Sequence, residues 1–151
     1  METQFELKSL KFDAANCVDC KYIFRTTVDE ETTEQEFHVK DARLAHPDFL
    51  DLFTKDLSNI LCRILRVTDD NPPVYAIGIS FAGKGENIGI RIIGEWHTKF
   101  GTVVVKTPRI KYKAGSHEVD AELTKFAEAV EEEAANYLFN DKVGTYGTFG
   151  E

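Results

Sequence analysis

From Phe5 onward apolar and charged residues alternate with a period of two, the spacing of a strand half-buried against a core. This predicts a first strand over Phe5–Phe12 and a turn at Asp13–Asn16. The next run, Cys20–Val28, sets Tyr22, Phe24, Thr26 and Val28 on one face and Lys21, Ile23, Arg25 and Thr27 on the other. A polar connection at Asp29–Thr33 leads to a third strand, where Gln35, Phe37 and Val39 alternate with Glu36, His38 and Lys40.

The period then changes. His46-Pro47-Asp48 opens a helix, because Pro is tolerated at the first helical position and an acid there suits the helix dipole. Phe49, Phe53, Leu57, Ile60 and Ile64 follow at helical spacing, widened by Leu50 and Leu61, and form a core stripe. The prolines of Asp69-Asp-Asn-Pro-Pro73 end the element. Alternation returns in Val74–Ala82, with Tyr75, Ile77, Ile79 and Phe81 expected on one face, then a hairpin at Gly83–Asn87. Ile88, Ile90 and Ile92 alternate with Gly89, Arg91 and Ile93, and two short strands, Thr102–Lys106 and Arg109–Lys113, flank Pro108. Ser116 is a suitable N-cap for a last helix carrying Val119, Leu123, Phe126, Val130 and Tyr137, whose Glu128, Glu131, Glu132 and Glu133 read as a solvated face.

The expected fold class is therefore α+β: a mainly antiparallel sheet with two amphipathic helices on one face, in the order βββα-βββα. Leu10-Lys-Phe-Asp-Ala14 and Ile79-Ser-Phe-Ala-Gly83 echo each other faintly between the halves. One domain over residues 1–139 and a flexible tail over 140–151, punctuated by Gly144, Gly147 and Gly150, complete the expectation.

Composition narrows the class. The 151 residues include eleven Phe, five Tyr and one Trp, enough large apolar groups for a core. No apolar run reaches the ~20 residues of a membrane helix. The N-terminal segment lacks a signal peptide's basic start and apolar block, so a cytoplasmic protein is expected. Three cysteines, Cys17, Cys20 and Cys62, suit reduced thiols better than a disulfide framework.

Three motifs point to chemistry and are better explained without it. Cys17-Val-Asp-Cys20 has half a zinc spacing, but its odd separation in a strand sends the sulfurs to opposite faces, and the histidines are scattered; no metal is expected. Gly83-Lys84-Gly85 is followed by a strand pattern instead of the helix a phosphate loop needs. Glu95 and His97 share one side of a strand, yet no nucleophile or second acid accompanies them. A non-enzymatic protein without cofactor is the reading.

Charge supplies the remaining signal. Residues 1–83 balance to −6, residues 84–113 to +5 and residues 114–151 to −7, for a net −8. With Ile110 and Tyr112 inward, Arg109, Lys111 and Lys113 point outward, and Arg91 does the same on its strand. Lys99 and Lys106 flank them, with Trp96 and Phe100 as candidate stacking surfaces. Such a face suits single-stranded nucleic acid, although any wet sheet face carries Lys and Arg.

His46-Pro-Asp-Phe-Leu50, Gly78-Ile-Ser-Phe81, Lys106-Thr-Pro108 and Tyr137-Leu-Phe-Asn-Asp-Lys142 together resemble segments of small proteins encoded by bacteriophages and prophages of gut bacteria. The resemblance implies a phage accessory protein in the host cytoplasm and assigns no activity to any residue. Two functions follow as expectations. The first is an adaptor acting through an unidentified protein partner, with self-association as one form. The second is single-strand binding through Arg91, Lys99, Lys106, Arg109, Lys111 and Lys113.

Overall fold

A computed structural model describes residues 2–12, 17–67, 74–83, 87–112, 120–140 and 142–143. The turn at Asp13–Asn16, the prolines at 72–73, the loop at 84–86, Lys113, the Ser116 cap and residues 144–151 lie outside the described residues. The fold is α+β, with seven antiparallel strands among those residues.

Strands β1 (Glu2–Phe12), β2 (Cys17–Val28) and β3 (Glu31–Leu44) form one meander. A helical segment follows, made of α1 (Pro47–Asp51), a π-helical turn (Leu52–Leu57) and α2 (Ser58–Leu65). Strands β4 (Val74–Ala82), β5 (Gly89–Thr98), β6 (Gly101–Lys106) and β7 (Ile110–Lys111) form the second meander, and α3 (Asp120–Phe139) closes the chain. The sheet order is β3-β2-β1-β4-β5-β6, with β7 beside the start of β5. The two meanders join through β1 and β4 by three residue pairs: Ser9 with Ser80, Leu10 with Ile79 and Lys11 with Gly78.

The helices cover one face. Phe49, Phe53, Leu57, Ile60 and Leu61 are buried there, as the helical stripe predicts, with Leu123, Phe126, Val130, Ala134 and Tyr137 of α3. They meet Leu10, Phe12, Val18, Cys20, Tyr22, Ile79, Ile90 and Ile92 of the sheet in one contiguous core. Phe12 packs edge-on to both Phe49 and Phe53, at centroid distances of 5.3 and 4.7 Å.

Several boundaries and faces differ from the sequence reading, and β1 and β2 each begin three residues earlier than expected, at Glu2 and Cys17. β3 begins at Glu31, because Asp29 and Glu30 both take positive φ (50° and 67°) and close a two-residue hairpin. Thr32 and Thr33 are thereby freed to pair with Thr27 and Thr26. The second helix ends at Leu65 on the left-handed Arg66 (φ 59°), ahead of the prolines. A bulge at Ile77 resets the alternation of β4. Val74 and Ala76 consequently join Ile79 inside, while Tyr75 stands 47% exposed on the opposite face. Trp96 follows Ile90 and Ile92 on the inward parity of β5, packs against the core beside Val74 and is no stacking platform for the open face.

Candidate nucleic-acid interface

The face of the sheet away from the helices is built row by row from the register. Lys21, Ser9, Ser80 and Arg91 lie side by side across β2, β1, β4 and β5. The next row runs Asp19, Lys11, Gly78, Ile93, Lys106 across β2, β1, β4, β5 and β6. A third pairs Ala82, Gly89 and Lys111. The centre of this surface is thus a shallow trough floored by Ser9, Gly78, Ser80 and Gly89, with basic side chains on both banks. Lys11, Lys21, Arg91, Lys106, Arg109 and Lys111 are all exposed.

Two glycines explain how the banks are held. A Cβ on Gly78 would stand 3.2 Å from Cβ and Cγ of Lys11, and one on Gly89 would stand 2.5 Å from Cγ of Arg109. The aliphatic stems of these cations therefore lie on bare backbone, while their charged ends reach water. Arg109 sits in the break between β6 and β7. Across that break Thr107 takes over the pairing: its N–H donates to the Ile92 carbonyl at 3.0 Å, and its hydroxyl accepts from the Ile92 N–H at 2.9 Å.

Beside Lys11 and Lys21, their cross-strand neighbours Asp19 and His38 meet at 2.6 Å, while the ion pairs of the arginines and of Lys142 lie elsewhere. Arg25 pairs with Glu6 and Glu34, Arg43 with Asp41, Arg63 with Glu122, and Lys142 with Asp48 and Glu133. Among the described residues no ion pair includes Arg91, Lys99, Lys106, Arg109 or Lys111. Glu95 is the acid on the outward rows of β4–β7, opposite Tyr75 and Val104.

Of the residues singled out from sequence, Arg91, Lys106, Arg109 and Lys111 come together on the trough. Lys99 does not: it lies at the β5–β6 turn, its ammonium 5.2 Å from the Phe100 ring centroid. Eight residues separate it from Arg91 along β5, a span of ~27 Å. Lys113 is outside the described residues. Lys11 and Lys21 were missed, since only cross-strand register brings them opposite Lys106 and Arg91. Tyr75 was missed because the bulge at Ile77 turns it outward.

Beyond Lys11 and Gly78 the strands β1 and β4 part. A cleft of about 550 Å³ opens there, with Phe12, Phe53 and Ala76 below and Tyr75, Glu95 and His97 at the rim. The Tyr75 and His97 rings meet edge-on at 5.5 Å. On the other side of the β1–β4 ladder a smaller cleft of about 230 Å³ is lined by Leu7, Phe81 and Tyr112, but Glu6, Glu128 and Glu131 ring it.

The cysteines form no such assembly. Cys20 is fully buried, and burial, then Asp19 and Asp41, push its thiol up to about 12. Cys62 is also buried and its thiol raised by burial. Thiolates, the metal-binding and nucleophilic forms, are disfavoured at both.

No family model, curated protein or solved structure matches the chain. Among the described residues, no helix is long and apolar enough to cross a membrane.

Proposed function

We propose that this chain is a non-enzymatic binding protein that holds single-stranded nucleic acid on the outer face of its sheet. The supporting observation is the trough: six basic side chains from five strands and the β6–β7 break surround a floor of Ser and Gly. The stems of Lys11 and Arg109 lie over Gly78 and Gly89, which holds their charged ends at the surface beside Ser9 and Ser80, and cations on both banks neutralise successive phosphates. Same-face neighbours along a strand are ~7 Å apart and adjacent strands ~4.8 Å apart, so the cations are spread over several nucleotides. A net charge of −8 opposes this only at long range, because solution salt screens beyond ~8–10 Å. Titration of a labelled, unstructured oligonucleotide at rising salt is the test. Service as an accessory factor in phage replication fits this reading and rests on the resemblance alone.

One observation favours a second reading, an adaptor that takes a partner's strand on β6. This edge strand carries Thr102, Val103, Val104 and Val105, with Val103 51% and Val104 60% exposed. A short apolar edge whose outward N–H and C=O groups are unpaired by the sheet is a site for strand addition. Analytical ultracentrifugation, alone and with candidate partners, tests it.

A further inference from the structure

We infer that the cleft between β1 and β4 receives one unstacked base of the bound strand and favours guanine, an inference that rests on the single-strand reading above. The cleft exists because the β1–β4 ladder stops after three pairs. Past that point the Ala76 N–H donates to the Ser58 hydroxyl at 2.9 Å, where a continuing β1 would have offered a carbonyl. The Ser58 hydroxyl in turn donates to the Phe53 carbonyl at 2.6 Å, across the π-helical turn. π-Turns recur at functional sites, and this one sets Phe53 and Thr54 at the cleft.

The lining matches a base in kind. Tyr75 offers a half-exposed ring at the mouth and Glu95 offers a carboxylate at the rim, above an apolar floor in which Phe12 and Phe53 are buried. A carboxylate only accepts, and single strands present Watson–Crick edges freely. Guanine brings two adjacent donors on that edge, N1–H and the 2-amino group, which a carboxylate can accept together; thymine brings one. The position also fits. Glu95 lies two residues along β5 from Ile93, whose cross-strand neighbour is Lys106, so the rim is ~7 Å from a phosphate-binding bank. The smaller cleft on the other side of the ladder has Glu6, Glu128 and Glu131 around it, which would repel the flanking phosphates.

Oligothymidine and the same oligomer with one central guanosine, each titrated by fluorescence anisotropy, test the inference. The wild type is expected to bind the guanosine oligomer more tightly by on the order of tenfold, the discrimination that one bidentate contact to a base edge supplies. Glu95→Gln should abolish that preference while keeping oligothymidine affinity and its salt slope, and Tyr75→Ala should weaken both oligomers. Equal affinity of the wild type for the two oligomers overturns the base pocket and leaves the trough intact. A preference that survives Glu95→Gln assigns guanine recognition elsewhere and overturns it as well. Binding of neither oligomer at low salt overturns the single-strand reading and the pocket with it.

Discussion

Leu10 and Ile79 are direct cross-strand partners at the middle of the ladder that joins the two meanders. These are also the residues that head the faint echo between Leu10–Ala14 and Ile79–Gly83. If the halves are superposed on that echo, residue 10 falls on residue 79, so an approximate two-fold axis passes between them. The strand order β3-β2-β1-β4-β5-β6 and the helices on one face have that symmetry. So do the two clefts, one on each side of the ladder, with Tyr75, Glu95 and His97 at one rim and Glu6, Glu128 and Glu131 at the other.

Since both residues are buried in a core shared by both halves, Leu10→Ala or Ile79→Ala is expected to cost about 2–5 kcal/mol. Chemical denaturation should show one cooperative transition in each variant. Two separated transitions would mean that the halves carry independent cores.

Tyr137 ties α3 to β3. Its hydroxyl donates to the Arg43 carbonyl at 2.6 Å, and the Arg43 guanidinium lies 5.0 Å from its ring centroid. Arg43 in turn grips the Asp41 carboxylate through Nε and Nη2, at 3.0 and 2.7 Å to Oδ2. The Arg43 hydrogen bond holds the Asp41 carboxyl below the usual carboxylate range. A folded-state pKa below the unfolded one adds stability that is present above the unfolded value and lost as pH falls through the folded one. Asp41→Asn should therefore lower stability near neutrality by about 1–2 kcal/mol and flatten the acid limb of the Tm–pH curve below about pH 4. An unchanged acid limb would remove Asp41 from this role.

Much of this fold was legible in the chain, and the exceptions have local causes. Periodicity marks the strands and both helical stripes because burial on one face dictates it. The bulge at Ile77 was hidden, since Tyr75, Ile77, Ile79 and Phe81 read as one unbroken apolar face. The β2–β3 hairpin lacks an Asn-Gly or Asp-Gly signal, so its length was underestimated. At the site, Arg91, Lys106, Arg109 and Lys111 were visible as a basic segment. Lys11 and Lys21 join them only through register, which depends on which strands pair and is not written in any local pattern.

Thiol chemistry offers a separate check on burial. At pH 8 in the native state, iodoacetamide should leave Cys20 and Cys62 unmodified and reach Cys17 first, the half-buried one, as read by peptide mass spectrometry. Labelling of all three becomes fast in denaturant. Rapid native labelling of Cys20 would contradict its place in the core.

The β6 edge makes its own prediction. If strand addition there drives association, the protein should sediment with a concentration-dependent mass, and Val104→Lys should return it to a monomer without lowering its Tm. A monomer at all concentrations and with all candidate partners would set that reading aside.

The trough is tested most directly by the salt dependence of oligonucleotide binding. For single strands log K falls with log salt at about 0.7 per neutralised phosphate, so the six basic residues allow a slope as steep as about −4. Replacing Arg109 and Lys111 together by Glu should weaken binding and flatten the slope by at least about 1.4, with Tm nearly unchanged because both are exposed. Lys55→Glu, on the helix side and paired with Asp51 at 3.4 Å, should leave affinity and slope almost as they were. No binding at tens of micromolar protein in low salt, or an equal loss from Lys55→Glu, would contradict the account.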